Sequence, residues 1–221
     1  MEWTQAEAAS PSAAITVYDM LQTPMKLDLT NTSLSLIDNF LDDIDYNKII
    51  DKSSGYLFKS NHKSNISTDP HGHWVFNLVN DDLQNDSTST LNVVNYIKDD
   101  FYKDIWKFIQ QKYELEDKIL IRYYMNAYTY GTEGYAHTDS NRNDEWTLIL
   151  YVLNDFWNID WAGETVLFNN NEVIQSILPK KNRAFIFPSK MKHAARSVSR
   201  ICYQTRKTLV FKFRNLFTEE I

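Results

Sequence analysis

The sequence predicts a mainly β fold, an α+β chain whose C-terminal half forms a sandwich or barrel and whose helices precede it. Three observations carry this. Beyond residue 118, short apolar runs alternate with polar turns at Gly131, Gly134, 141–143, Gly163, 169–171 and Pro179. Aromatic residues make up 14% of the 221 residues, with 13 Tyr, 12 Phe and 6 Trp, and such side chains favour strands and bury large areas. The clearest helical periodicity lies before that half, over 86–113.

The elements follow in order. Residues 1–14 are small and polar and read as a disordered N-terminus. The remainder, 15–221, reads as one domain with a core at about 119–214. Strands are expected at 15–21 and 33–37. A short helix is expected at 41–50, with Leu41, Ile44, Ile49 and Ile50 as its apolar side. The polar stretch 52–70 reads as a loop. Residues 73–79 alternate as a strand. The helix at 86–113 takes Ser87, Thr88 or Ser89 as its cap and carries Leu91, Val94, Ile97, Phe101, Ile105 and Phe108 as a face for a sheet. Strands then follow at 119–128, 146–153, 164–168, 172–177, 184–187 and 207–213.

Composition narrows the function. The formal net charge is −6, which argues against a phosphate-backbone partner. No nucleic-acid partner is expected. The basic stretch 180–214 alternates with apolar residues and suits an anionic small molecule better. The single cysteine, Cys202, excludes an intrachain disulfide and fits a reducing compartment with a structural thiol. No apolar run has the length of a membrane span, and the N-terminus does not read as a secretory signal. An intracellular, cytoplasmic protein without membrane contact is therefore expected.

The string Tyr135-Ala136-His137-Thr138-Asp139-Ser140 carries the chemistry. In a strand, residues two apart share a side, so His137 and Asp139 can aim an imidazole and a carboxylate at one point. An HxD pair alone is common. It gains weight from His193, 54 residues after Asp139 on a later β-segment. Two histidines and one carboxylate on one face leave open positions on a metal, the facial triad of non-haem Fe(II) oxygenases. A lone strand histidine is more often a hydrogen-bonded structural residue.

The stretches YTYGTEGYAHTDS (128–140), TLILYVLND (147–155), AGETVLF (162–168), NRAFIFPSKMKHAARSVS (182–199) and RKTLVFKF (206–213) together resemble the prolyl 4-hydroxylase-like group of Fe(II)/2-oxoglutarate oxygenases. The resemblance covers a little under half of the chain, with a weaker echo at 38–41. It implies a double-stranded β-helix, the jelly-roll barrel, with His137, Asp139 and His193 holding Fe(II) in its mouth. It also implies 2-oxoglutarate and O2 as co-substrates, with L-ascorbate as an accessory reductant, and a peptide or small-molecule substrate.

The far carboxylate of 2-oxoglutarate needs a cation, and a guanidinium grips a carboxylate bidentately. Arg206 is the candidate. A period of two puts Arg206, Thr208 and Val210 on one face and Leu209, Phe211 and Phe213 on the other. Arg206 follows His193 by 13 residues, farther than in close prolyl hydroxylases. Arg196, Arg200 and, with a register slip, Lys207 compete. The resemblance assigns Tyr128 and Thr165 to the co-substrate pocket, with Tyr151 as a further candidate. Tyr124 and Asn126 share the face of Tyr128.

The implied reaction converts 2-oxoglutarate to succinate and CO2 and hydroxylates a C–H bond. Asp139 favours hydroxylation, because related halogenases lack the carboxylate. Peptidyl proline is the first expected substrate. A free amino acid or small metabolite is the alternative, and a non-catalytic cupin-like binding module is a reading of a different class. Trp74, Trp157 and Trp161 offer a groove for a Pro-rich peptide or a cap on the barrel. A second string, Asp69-Pro70-His71-Gly72-His73 with His62, resembles a metal site only loosely. Solvated histidines or a substrate rim suit it better.

Overall fold

The computed structural model describes residues 24–30, 33–80, 83, 91–154 and 156–216. The expected disordered stretch 1–14, the strand at 15–21 and the caps Ser87, Thr88 and Ser89 lie outside them.

The first strand, β1 (Ser35–Ile37), leads into helix α1 (Asp43–Ser54). Asp42 caps this helix by accepting from the Asp45 N–H. The helix runs four residues beyond the expected 41–50. Its buried side is Tyr46, Ile49 and Ser53, whereas Ile44, expected inside, is 81% exposed. The expected loop at 52–70 instead contains β2 (Lys59–His62), which pairs antiparallel with β3 (His73–Asn77).

The long helix expected at 86–113 is shorter. Helix α2 spans Asp100–Lys112 and is capped by Asp99. Upstream, Val93–Tyr96 forms one 3-10 turn, and Ile97 is extended and bridges to Val79. The apolar stripe continues through both segments while the backbone does not, because Ile97 forms an isolated bridge with Val79 and Asp99 caps a new helix. Phe101, Tyr102, Ile105, Trp106 and Ile109 are buried on α2.

The remaining strands are β4 (Lys118–Tyr128), β5 (Gly134–His137), β6 (Glu145–Val152), β7 (Thr165–Asn169), β8 (Glu172–Ile177), β9 (Ala184–Pro188), β10 (Lys192–Ala195) and β11 (Arg206–Asn215). They form a major sheet in the order β1-β9-β6-β11-β4-β3-β2 and a minor sheet in the order β5-β10-β7-β8. All pairings are antiparallel. Two such facing sheets make the jelly-roll double-stranded β-helix.

The two faces of the major sheet divide the work. Leu209, Phe211 and Phe213 of β11 join Tyr123, Met125 and Trp106 in a core between sheet and helices. Arg206, Thr208, Val210 and Lys212 face the other way and line a cavity between the sheets. Among the described residues no helix is long and apolar enough to cross a membrane.

Candidate active site

The cavity is about 1170 Å³ and opens between the sheets. Strand pairing builds its metal-ligating side. His137 on β5 is the direct register partner of His193 on β10, and their rings lie 4.4 Å apart, centroid to centroid. The Nδ1 of His137 donates to the Tyr135 carbonyl at 2.7 Å, and the Nδ1 of His193 to the Met191 carbonyl at 3.0 Å. Each bond fixes the tautomer that leaves the Nε2 lone pair free, as a metal-binding histidine requires.

Asp139 arrives differently from the expectation. The strand ends at His137, so alternation does not place the carboxylate. A bend does, held by the Asp139 and Ser140 N–H groups on the Ser189 carbonyl. Thr147 donates to Asp139 Oδ2 at 2.7 Å and contacts the Ser189 hydroxyl at 2.9 Å. Lys212 Nζ lies 2.5 Å from Asp139 Oδ1. The Nε2 atoms of His137 and His193 sit 3.4 and 3.7 Å from the carboxylate oxygens, and one ligand atom from each of the three residues lies within 4.8 Å of the others.

The electrostatics suit a cation. Burial alone would raise the Asp139 pKa. Lys212 and the two histidines outweigh it and hold the carboxyl well below its usual range. Burial pushes His193 down to about 4. An ionised carboxylate, the neutral His193 imidazole and the His137 ring form the donor set of a borderline divalent metal. No other such group of His, Cys, Asp and Glu occurs among the described residues.

At the other end of the inner face sits Arg206, 1% exposed. Its Nε donates to the Gly163 carbonyl at 2.6 Å and its Nη2 to the Thr165 hydroxyl at 2.7 Å. The rings of Tyr128 and Tyr151 lie 4.8 and 5.1 Å from its Cζ. Two of five guanidinium donors are thus used, and no carboxylate pairs with it among the described residues. A buried cation without a carboxylate is costly unless a ligand supplies one. Arg206, Tyr128 and Thr165 all line the cavity. Tyr151 stands behind Thr165, with its hydroxyl 3.0 Å from the Thr165 hydroxyl and donating to the Ile177 carbonyl. The competitors Arg196 and Arg200 are exposed, and Lys207 points to the opposite face, onto Ser53.

The second histidine string does not make a metal site. His71 is exposed, but His73 is buried, not solvated as expected. It stacks on Tyr128 at 4.8 Å and lacks a partner for either ring nitrogen. Trp157 and Trp161 pack edge to face at 5.3 Å, and Trp157 donates to the Ala162 carbonyl. Trp74 lies apart from them with Ala127, Val152 and Lys207, so the three do not line one groove. The Cys202 thiol donates to the Gln204 carbonyl at 3.3 Å.

Sequence reasoning missed Lys212, Thr147, Ser189 and Arg122. Lys212 was recoverable, because it continues the face of Arg206, Thr208 and Val210. Thr147 is the one aliphatic hydroxyl in an otherwise apolar run, a weak signal.

The model of the family described as the 2OG-Fe(II) oxygenase superfamily matches residues 123–214. A prolyl hydroxylase from Trichoplax adhaerens, solved with a hypoxia inducible factor oxygen degradation domain peptide fragment, is 19% identical, with 84% of each chain covered and a TM-score of 0.54. A Pseudomonas putida prolyl-4-hydroxylase is 15% identical over 83% of this chain and 94% of that one, with a TM-score of 0.57. The non-heme alpha ketoglutarate dependent epimerase SnoN from nogalamycin biosynthesis is 6% identical over 84% and 79%, with a TM-score of 0.58. At these identities the likeness is one of fold. No curated protein matches the chain by sequence.

Proposed function

We infer that this chain, whose residues 123–214 match the 2OG-Fe(II) oxygenase superfamily model, is such an oxygenase and hydroxylates a C–H bond, with a prolyl residue as the first substrate to test. The observation that carries this reading is one cavity between the two sheets, with His137, Asp139 and His193 on one wall and Arg206 of the major sheet on the facing wall. The prolyl hydroxylase fold likeness supports the choice of proline.

His137, Asp139 and His193 would hold the iron. When bound, the metal supplies the activation of O2 by which 2-oxoglutarate becomes succinate and CO2 and one oxygen atom enters the substrate. The remaining work falls to the chain. Arg206 binds the far carboxylate, and Thr165 fixes the guanidinium plane. Tyr128 closes the wall beside it, and burial keeps its hydroxyl protonated, so it remains a donor. Thr147 and Lys212 orient the Asp139 carboxylate. The aromatic cap of Trp157 and Trp161 narrows access of water beside Gly163 and Arg206.

The test is succinate release with Fe(II), 2-oxoglutarate, ascorbate and O2, with and without a (Pro-Pro-Gly)-type peptide. The expected result is succinate that rises with peptide and vanishes in His137→Ala. Succinate that depends on His137 and ignores the peptide moves the substrate to a free amino acid or metabolite. No succinate from folded, iron-loaded protein favours a non-catalytic binding barrel.

A further inference from the structure

The cavity is far more basic than the protein. The chain carries a net charge of −6, yet Lys63, Arg122, Lys192, Arg206 and Lys212 line this cavity with Asp139 as its one carboxylate. Two of the cations are accounted for. Arg206 awaits the co-substrate carboxylate, and Lys212 is paired with Asp139. Among the described residues no carboxylate pairs with Lys63, Arg122 or Lys192.

Arg122 is the most built of the three. On β4 its register partner is Lys212, whereas that of Tyr128 is Arg206. Six residues of β11 separate the two pairs, about 20 Å at roughly 3.3 Å per residue. Arg122 therefore stands at the opposite end of the inner face from the co-substrate anchor, beside the Asp139–Lys212 pair. Its guanidinium stacks on the Tyr124 ring, Cζ to centroid 5.1 Å, and its Nε is buried without a hydrogen-bond partner. A stacked guanidinium is preorganised for an oxyanion.

His62 lines the same cavity and is the register partner of His73, which stacks on Tyr128 toward the Arg206 end. His73 is 3% exposed and has both ring nitrogens without partners. Gly72 lets this hairpin close, since a Cβ there would lie 2.6 Å from the Asn61 backbone.

We propose that the substrate of this site carries an oxyanion, a carboxylate or a phosphate, received by Arg122 at the end of the cavity opposite Arg206. The proposal rests on the oxygenase reading, with 2-oxoglutarate at Arg206. The arrangement puts two anions in one cavity, one at Arg206 and one at Arg122 beside the Asp139–Lys212 pair. It narrows a prolyl substrate to one with a nearby acidic group.

The experiment uses full-length protein with Mn(II) in place of Fe(II), without O2, studied by calorimetry. Titration with 2-oxoglutarate comes first, and absence of binding there sinks the oxygenase reading itself. With 2-oxoglutarate saturating, the probes are inorganic phosphate, N-acetyl-L-proline and N-acetyl-L-prolinamide. The expected result is that the acid or phosphate binds at least tenfold more tightly than the amide, and which anion is tighter tells the two sources apart. Arg122→Gln should weaken that binding at least tenfold, and Arg122→Lys should retain most of it, which separates lost charge from lost fold. The proposal is overturned if neither anion binds, if acid and amide bind alike, or if Arg122→Gln changes nothing. It is equally overturned if the anion binds only without 2-oxoglutarate and loses its affinity in Arg206→Gln, since it then occupies the co-substrate's place.

Discussion

Lys212 Nζ lies 2.5 Å from Asp139 Oδ1, and both side chains are buried, 7% and 4% exposed. The same carboxylate would ligate the metal. In the metal-free protein Lys212 is thus the counter-charge that keeps a buried Asp139 ionised, and Thr147 holds the other oxygen. When a divalent cation arrives, the carboxylate no longer depends on the lysine. Lys212→Met should therefore destabilise the metal-free protein by about 3–5 kcal/mol, the cost of stranding one partner of a buried pair. It should cost the Mn(II)-loaded protein clearly less. The thermal shift on adding Mn(II) would be larger in Lys212→Met than in wild type. Equal losses with and without metal would show that Lys212 acts by packing alone.

Arg206 gives a second prediction. It is buried, bonded to Gly163 and Thr165, and lacks a carboxylate among the described residues. Removing it deletes a charge-assisted pair with the co-substrate. Arg206→Ala should weaken 2-oxoglutarate binding by about 2–4 kcal/mol. Thr165→Val, which frees one guanidinium N–H from its anchor, should cost about 1 kcal/mol. Both effects are read from the apparent KM for 2-oxoglutarate in the succinate assay. An unchanged KM in Arg206→Ala transfers the role to another cation of the cavity.

These two residues also show what the sequence could carry. The inward face of β11 was legible, because strict alternation separates Arg206, Thr208 and Val210 from Leu209, Phe211 and Phe213. Lys212 lay on that same face and went unread only because nothing in the sequence says that Asp139 meets it, across a pairing of distant segments. Asp139 itself was identified for a reason that does not hold locally: a bend pinned by Ser189, not strand alternation, turns its carboxylate inward. Strand β2 was invisible for another reason. As an edge strand of Lys59, Ser60, Asn61 and His62 it has no apolar face to signal it. The break before α2 was hidden because Leu91, Val94 and Ile97 keep helical spacing while Ile97 bonds to Val79. Periodicity reports which side is buried, not whether the backbone between is continuous.

The buried histidines predict a pH dependence of stability. Burial is the largest cause holding His73 near 3, with His62 adding to it. Asn126, close by but outside hydrogen-bonding geometry, offsets little. His62 and His193 are held near 4, again chiefly by burial. In the unfolded chain all three return to about 6.5. Between these values the unfolded state binds more protons, so stability is full above about pH 6.5 and falls as the pH drops toward 4. The metal-free protein should lose about 1.5 kcal/mol per histidine, up to about 5 kcal/mol, between pH 6.5 and 5, read from urea midpoints. His73→Phe keeps the stack on Tyr128 and should flatten that slope. An undiminished slope in the variant would remove His73 from the account.

Gly163 tests whether the Arg206 anchor is set by the backbone. Its φ is +83°, and a Cβ there would meet Val198 Cγ1 at 3.0 Å and Arg206 Cδ at 3.2 Å. Its carbonyl also accepts the Arg206 Nε. An alanine is strained at such a φ and also pushes on the arginine stem. Gly131 supplies the control, since its φ is +82° but a Cβ there would meet nothing within 4 Å. Both Gly163→Ala and Gly131→Ala should lose about 1–2 kcal/mol of stability from the backbone term. Only Gly163→Ala should raise the KM for 2-oxoglutarate, by about tenfold, which corresponds to about 1.4 kcal/mol. If the two alanine variants lose stability alike and neither moves the KM, the Arg206 guanidinium is held by Thr165 and the tyrosine rings, and the loop before β7 is only a turn.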